Sequence, residues 1–166
     1  WGMRLIYSYE GPEPLETGGG MAKALPHLGT EAFIAVNGDV FCEADFSLLP
    51  SAPEGLAHLV MVDNPEHNLN GDFALLENGI LASEGDQRLT FSGIGVYRPE
   101  LLLRYQAQWQ SVDATDPRFK LAPILRQAMR EGLISGSHYQ GLWTDVGTPE
   151  RLAMLDTSFA NGDLFK

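Results

Sequence analysis

The stretch over residues 32–40 constrains the fold of this chain more than any other. It reads Ala-Phe-Ile-Ala-Val-Asn-Gly-Asp-Val, so an apolar, β-branched run stops at an Asn-Gly-Asp turn signal. A run of this kind predicts a short strand that is buried on both faces, as in parallel sheets. Ligands bind outside the carboxyl ends of such strands. Asp39 is therefore placed to hold a metal ion or a substrate hydroxyl.

Strand and helix patterns alternate along the rest of the chain. The predicted strands cover residues 3–8, 32–40, 57–63, 73–76, 80–82, 89–97 and 134–146. The predicted helices cover residues 21–28, 43–49, 99–108 and 120–131, and a last helix begins at Pro149 with Thr148 as its N-cap. This alternation predicts one α/β domain over residues 1–166, with three layers built around a mostly parallel sheet.

Composition excludes several classes of function. With 22 acidic against 11 basic residues the net charge is −11, which argues against nucleic acid as a partner. The single cysteine excludes a disulfide framework and a thiolate zinc site. No apolar run approaches the ~20 residues of a membrane span, and the first residues lack the plan of a signal peptide. We therefore expect a cytoplasmic protein with small-molecule partners and no membrane partner.

Two acids stand at comparable places, Asp39 after one predicted strand and Asp145 near the end of another. Two carboxylates that converge on one crevice suit Mg²⁺, which takes one or two carboxylates together with waters and substrate phosphates. Taken singly, each acid is better explained by a cap, Asp39 at a turn and Asp145 before the last helix. The histidines lack metal-ligand spacing and the serines lack a nucleophile elbow, so neither group indicates catalysis.

Two other features point to an anionic ligand, and each has a structural alternative. The three glycines at 18–20 predict a loop that leads into a helix, where backbone amides approach a ligand closely; a flexible turn explains them equally well. Lys120 lies at the start of an apolar helix. The helix dipole makes a cation unfavourable at that end unless an anion lies beside it. The alternative is an exposed lysine whose stem covers apolar surface.

Taken together, five phrases of the sequence resemble the sugar-1-phosphate nucleotidyltransferases, and the resemblance covers residues 4–155. In chain order the phrases are Leu-Glu-Thr-Gly-Gly-Gly (15–20), Val-Asn-Gly-Asp (36–39), Thr-Phe-Ser-Gly-Ile (90–94), Phe-Lys-Leu (119–121) and Trp-Thr-Asp-Val-Gly-Thr (143–148). The resemblance implies a Rossmann-like nucleotide-diphospho-sugar transferase fold.

The resemblance also implies a reaction. A sugar-1-phosphate oxygen attacks the α-phosphate of UTP, giving a UDP-sugar and pyrophosphate, with N-acetylmuramate 1-phosphate as the implied sugar and peptidoglycan recycling as the implied role. Asp39 and Asp145 would hold Mg²⁺ between the two substrates. No protein nucleophile is needed, because the attacking phosphate is already an anion.

The same resemblance implies roles for further residues. The implied nucleotide-binding residues are Glu16, Thr17, Gly18, Gly19 and Asn37. The implied sugar-binding residues are Gly71, Gly93 and Lys120, with Lys120 also meeting the sugar phosphate during catalysis.

One departure from the family is large. Its members open with a glycine-rich loop of the type Leu-Ala-Ala-Gly-x-Gly-x-Arg and a later Pro-Lys motif, which bind the triphosphate, and this sequence contains neither. We therefore expect the chain to be the C-terminal two-thirds of such an enzyme, without its first βα units, and to be inactive alone. Residues 109–117 look longer than in the family and predict a mobile loop or an insertion. The alternatives are a non-catalytic sugar-nucleotide-binding or regulatory module, or a transferase for glucose 1-phosphate or mannose 1-phosphate.

Overall fold

A computed structural model describes residues 2–110 and 117–162, with only the helical backbone at 106–110. The strands are β1 (Phe33–Val36), β2 (Val40–Cys42), β3 (Ala57–Val62), β4 (Phe73–Leu75), β5 (Leu81–Ala82), β6 (Arg88–Tyr97), β7 (Ile134–His138) and β8 (Trp143–Asp145). The helices are α1 (Glu16–Leu28), α2 (Pro99–Gln110), α3 (Leu121–Arg130) and α4 (Pro149–Asn161). The predicted loop at 109–117 lies mainly outside the described residues.

Strand β6 organises the larger sheet. The strand order is β5-β4-β6-β3-β7, and β1 pairs with the C-terminal part of β6. Within the described residues only β3 and β7 run parallel, and every other strand pair is antiparallel. The α/β class is confirmed, but the prediction of a mostly parallel sheet is wrong. The chain goes from β3 to β6 through a short hairpin without the crossover helix that a parallel neighbour needs, so β6 enters the sheet reversed.

The main core lies between this sheet and helices α2 and α3. Helix α3 buries the apolar face that its sequence predicts, and the buried residues are Leu121, Ile124, Leu125, Ala128 and Met129. They pack with Leu59 and Met61 of β3 and with Leu101 and Tyr105 of α2. Side chains of α1 and β1 extend this core at its margin.

Two predicted strands differ in the structure. Strand β1 is not buried on both faces, since Ile34 is 47% exposed and Val36 is 44% exposed. Among the described strands it pairs only with β6, so its alternate residues face away from the core. Residues 3–8 form no strand; Met3 and Leu5 are exposed, because no described strand pairs with them.

A small second sheet joins the turn after β1 to the start of α4. Strand β2 pairs antiparallel with β8, and Val40 lies opposite Asp145. Thr148 caps α4 as predicted, its side chain accepting a hydrogen bond from the Arg151 amide. None of the helices in the described part of the chain has the length and apolar character required to span a membrane.

Candidate active site

The two acids that the sequence singled out line one cavity of about 290 Å³. The β2–β8 pairing brings them together, and the Val146 amide donates a 2.7 Å hydrogen bond to the Asp39 carbonyl. The residues that line the cavity are Asn37, Asp39, Val40, His67, Asn68, Thr90, Phe91, Ser92, Gly93, Trp143 and Asp145. The predicted convergence of the acids is therefore present in the structure.

Two basic residues contact Asp145. His67 Nε2 lies 3.1 Å from Asp145 Oδ1, and the Arg151 guanidinium lies 3.2 Å from both carboxylate oxygens. A methyl group placed on Gly147 would lie 2.8 Å from Arg151 Nη2 and 3.2 Å from Asp39 Oδ2. The absence of a side chain at this glycine therefore lets the guanidinium lie close to both acids.

Sequence reasoning missed both of these basic residues. His67 lies in the turn between β3 and β4, and nothing in its spacing marks it. Arg151 lies in the first turn of α4, where a cation opposes the helix dipole. The argument that singled out Lys120 at the start of α3 would also have found Arg151.

The cavity has the donor types of a magnesium site that is completed by substrate. No group of three or more His, Cys, Asp or Glu side chains within residues 2–110 and 117–162 could hold a metal ion. Two carboxylates alone fit a cation that takes its remaining ligands from water and phosphate, as Mg²⁺ does. Because Arg151 and His67 contact Asp145, a metal ion there would compete with them for the same oxygens.

A second cavity of about 350 Å³ adjoins the first and shares Asn37 and Phe91 with it. Four residues with predicted roles line it, and these are Glu16, Thr17, Asn37 and Lys120. Asp72 and Arg126 also line its wall. Lys120 is the N-cap residue of α3 and makes no side-chain cap hydrogen bond. The two cavities adjoin at the shared residues and together form one crevice. Asp39 and Asp145 line the first cavity, and Lys120 and Arg126 line the second together with the carboxylates of Glu16 and Asp72.

Glu16 is the one described non-glycine residue with a positive φ, at 62°. A left-handed backbone costs a residue with a side chain about 1–2 kcal/mol. Such strain often accompanies functional positions, and here it occurs where α1 meets the second cavity.

Two of the predicted nucleotide-binding residues lie elsewhere. Gly18 and Gly19 belong to α1 itself, so the prediction of a glycine-rich loop before the helix is wrong. Neither is among the residues that line the two cavities. The Gly19 amide donates to the Phe119 carbonyl at 3.1 Å, and the Phe119 amide donates to the Leu15 carbonyl at 3.2 Å. A side chain at Gly18 would collide with the Phe119 ring, so the missing Cβ atoms let α1 pack against the segment that leads to Lys120.

The two predicted sugar-binding glycines both have a positive φ, 60° at Gly71 and 80° at Gly93. Gly93 lines the first cavity, and its carbonyl accepts a 2.9 Å hydrogen bond from the Asn37 amide. Gly71 lines neither cavity in the described structure. It precedes Asp72, which lines the second cavity and accepts a 2.8 Å hydrogen bond from the Phe91 amide.

A network of polar side chains beneath the crevice holds in place the wall that contains Asp72 and Phe91. Asn64 donates to the Arg88 carbonyl and accepts from the Thr90 hydroxyl at 2.9 Å each. Asn68 donates to Thr90 at 3.1 Å and to Asp72 at 3.3 Å. The network connects the turn that contains His67 to strand β6. The sequence alone does not predict its individual hydrogen bonds.

Solved structures of other proteins share the fold of this chain. The structure superposes on HddC from Yersinia pseudotuberculosis, complexed with GMP-PN, with a TM-score of 0.64 at 18% identity, covering 89% of this chain and 64% of that one. It superposes on the inositol-1-phosphate CTP transferase from T. maritima with a TM-score of 0.58 at 18% identity, covering 82% and 58%. The chain thus has the fold of the sugar-phosphate nucleotidyltransferases, as predicted.

Sequence comparison identifies relatives of this chain with a stated activity. The chain is 45% identical over 159 residues to N-acetylmuramate alpha-1-phosphate uridylyltransferase from Neisseria meningitidis serogroup B, covering 92% of this chain and 65% of that protein. It is 27% identical over 160 residues to the protein of the same name from Caulobacter vibrioides, covering 89% and 62%. The chain spans less than two thirds of the length of these relatives, and no model of a protein family matches it. The predicted resemblance to sugar-1-phosphate nucleotidyltransferases is confirmed.

Proposed function

We propose that this chain forms part of a Mg²⁺-dependent enzyme that transfers the uridylyl group of UTP to a sugar 1-phosphate, N-acetylmuramate 1-phosphate. The products are UDP-N-acetylmuramate and pyrophosphate, and the proposed role is peptidoglycan recycling in the cytoplasm. The observation that carries the proposal is that the cavity lined by Asp39 and Asp145 adjoins, at Asn37, the cavity lined by Lys120 and Arg126. The 45% identity to a uridylyltransferase supports the choice of substrates.

In the proposed reaction a phosphate oxygen of the sugar 1-phosphate forms a bond to the α-phosphorus of UTP. The bond from that phosphorus to the bridging oxygen breaks, and pyrophosphate leaves with the electron pair. Both reactants are anions, so the work of the protein is to position them and to offset their charge. Mg²⁺ on Asp39 and Asp145 would supply Lewis-acid charge neutralisation between the phosphates.

The chain's own residues position the sugar phosphate and the nucleotide. Lys120 holds the sugar phosphate, because it lines the second cavity, which adjoins the cavity of Asp39 and Asp145. Glu16, Thr17 and Asn37 line the same cavity and contact the nucleotide. Gly93 lines the first cavity, and its missing side chain leaves room for the side chain of Asn37. Arg151 contacts Asp145, and its guanidinium would offset negative charge beside the residues that would hold the metal ion.

The test is pyrophosphate release from UTP, Mg²⁺ and N-acetylmuramate 1-phosphate by the complete gene product that contains this sequence. We expect Asp39→Asn and Asp145→Asn each to lower the rate by at least about 100-fold, since each removes a charged ligand from the metal. Asp63→Asn is the matched control, because Asp63 also follows a strand but pairs with His138 at 2.9 Å outside the crevice.

Near-normal turnover in either crevice variant would refute the metal role of that residue. Turnover with glucose 1-phosphate or mannose 1-phosphate in preference to N-acetylmuramate 1-phosphate would refute the proposed sugar. Removal of Mg²⁺ with a chelator is expected to abolish the reaction, and unchanged turnover without it would exclude the metal.

A further inference from the structure

The second cavity contains two cationic side chains, Lys120 and Arg126, and the proposed function uses only the first. Across residues 2–110 and 117–162, neither side chain makes a hydrogen bond or an ion pair to another side chain or to the backbone. A chain with a net charge of −11 has many carboxylates to pair with its few cations. Lys120 is exposed and Arg126 is partly buried, so both cations are available to a ligand in this cavity that carries more than one negative group.

Arg126 is held in place by an aromatic ring. Its guanidinium carbon lies 5.4 Å from the centre of the Phe73 ring, and Phe73 is only 2% exposed. Contact with a ring face fixes the plane of a guanidinium while its N–H groups remain free to donate in that plane. Arg126 is itself partly buried, so its orientation is set before a ligand arrives. A planar fork of this kind matches a carboxylate through two parallel hydrogen bonds.

The two cations lie at different heights along α3. Lys120 is the N-cap residue and Arg126 lies six positions further, which at 1.5 Å per residue is about 9 Å along the axis. The carboxylates of Glu16 and Asp72 line the same cavity, so an anionic group is stabilised only where a cation lies beside it. A sugar ring with a phosphate at one end and a second acidic group at the other satisfies both cations.

We propose that Arg126 binds a carboxylate on the sugar and thereby makes the site selective for acidic sugar 1-phosphates. This inference rests on the proposed function, in which Lys120 holds the phosphate. It gives a physical reason for the choice of N-acetylmuramate, whose lactyl ether bears a carboxylate that N-acetylglucosamine lacks. Arg126 is then the residue that distinguishes the two sugars.

The test measures binding of N-acetylmuramate 1-phosphate and N-acetylglucosamine 1-phosphate to the complete gene product by calorimetry. We expect Arg126→Gln to weaken binding of the muramate compound by about 10-fold or more, the usual effect of losing a charged hydrogen-bonded pair. Binding of the glucosamine compound should change by less than about 2-fold, because it has no group for the guanidinium. Arg126→Lys keeps the charge without the fork and should weaken muramate binding by an intermediate factor.

Arg130→Gln is the control, since Arg130 lies on the same helix one turn further and is exposed. It should leave binding of both compounds unchanged. Equal weakening of both compounds by Arg126→Gln would overturn the inference and leave the proposed function standing, as would unchanged muramate binding. If the unmodified protein binds neither compound, the proposed function and the inference fail together. Should Arg126→Gln not fold, the same comparison is made with Arg126→Lys.

Discussion

Gly93 links the conformation of one residue to the shape of the crevice. Its φ is 80°, and a Cβ atom there would lie 2.8 Å from the side-chain nitrogen of Asn37. Asn37 lines both cavities, so a side chain at position 93 would displace a residue that the proposed function assigns to the nucleotide.

We expect Gly93→Ala to destabilise the fold by about 2–3 kcal/mol, through backbone strain and the displaced Asn37, and to weaken UTP binding. Gly79→Ala is the matched control: its φ is 78°, but nothing lies within 4 Å of a Cβ there. Gly79→Ala should lower the free energy of unfolding by only about 1 kcal/mol, the cost of backbone strain alone. Urea unfolding measures both effects, and equal losses would show that Asn37 is not displaced.

His58 predicts a pH dependence of stability. It lies between two serine hydroxyls, with Nδ1 2.9 Å from Ser135 Oγ and Nε2 3.1 Å from Ser137 Oγ. Burial lowers its pKa below the usual 6.5, so the folded state holds this proton less tightly than the unfolded state. Its contribution to stability is therefore present above pH 6.5 and is lost as the pH falls through the lowered pKa.

We expect the thermal midpoint of the unmodified protein to fall more between about pH 7.5 and pH 5 than that of His58→Gln, which cannot take up the proton. His27→Gln, at the end of α1, serves as the control and should keep the steeper pH dependence of the unmodified protein. Parallel pH profiles for all three proteins would exclude this role for His58.

The sequence could predict residues whose chemistry follows from their place at an element's end. Asp39, Asp145 and Lys120 were found because an acid after a strand, or a cation at a helix start, is unusual enough to need a reason. His67 and Arg126 were not found. A turn brings His67 to Asp145, and Arg126 contacts Phe73 in a distant strand. Such contacts depend on tertiary packing.

At the scale of elements, periodicity predicts a helix well and the partners of a strand poorly. Helix α3 shows this, since the spacing of its apolar residues identified its buried face. The apolar run of β1 predicted a strand buried on both faces, yet that run cannot reveal how many neighbours a strand has. The antiparallel insertion of β6 was missed for the same reason, because pairing direction depends on connections and not on composition.

Helix α3 supports a quantitative prediction about the core. Ile124 is 1% exposed and belongs to the main cluster, so Ile124→Ala should lower the free energy of unfolding by about 2–5 kcal/mol. Arg130→Ala, at an exposed position near the end of the same helix, should change it by less than about 0.5 kcal/mol. Chemical denaturation distinguishes the two. A small effect at Ile124 would mean that α3 is not packed as described.

At the scale of the whole molecule, strand β1 exposes apolar side chains and has one edge that no described strand covers. Ile34 and Val36 are exposed side by side on one face, and no described strand pairs with the outer edge of β1. Exposed apolar strands with a free edge promote contact between chains, while a large net charge of one sign opposes it.

We expect this chain to associate reversibly at high concentration, more strongly in high salt, and the double variant Ile34→Thr with Val36→Thr to reduce that association. Leu103→Gln is the control, because Leu103 is also exposed, at 57%, but lies on a helix. Sedimentation velocity measures the effect. If the control reduces association as much as the double variant, the edge is not the contact.

The backbone hydrogen bonds between Phe119 and the start of α1 have a consequence for folding. They join Leu15 and Gly19 to Phe119, which lies about 100 residues further along the chain. Contacts of such large sequence separation form slowly, because the intervening chain must first be ordered. The wall that carries Glu16 and Lys120 is therefore completed late in refolding, so the return of ligand binding will lag behind the return of helical structure.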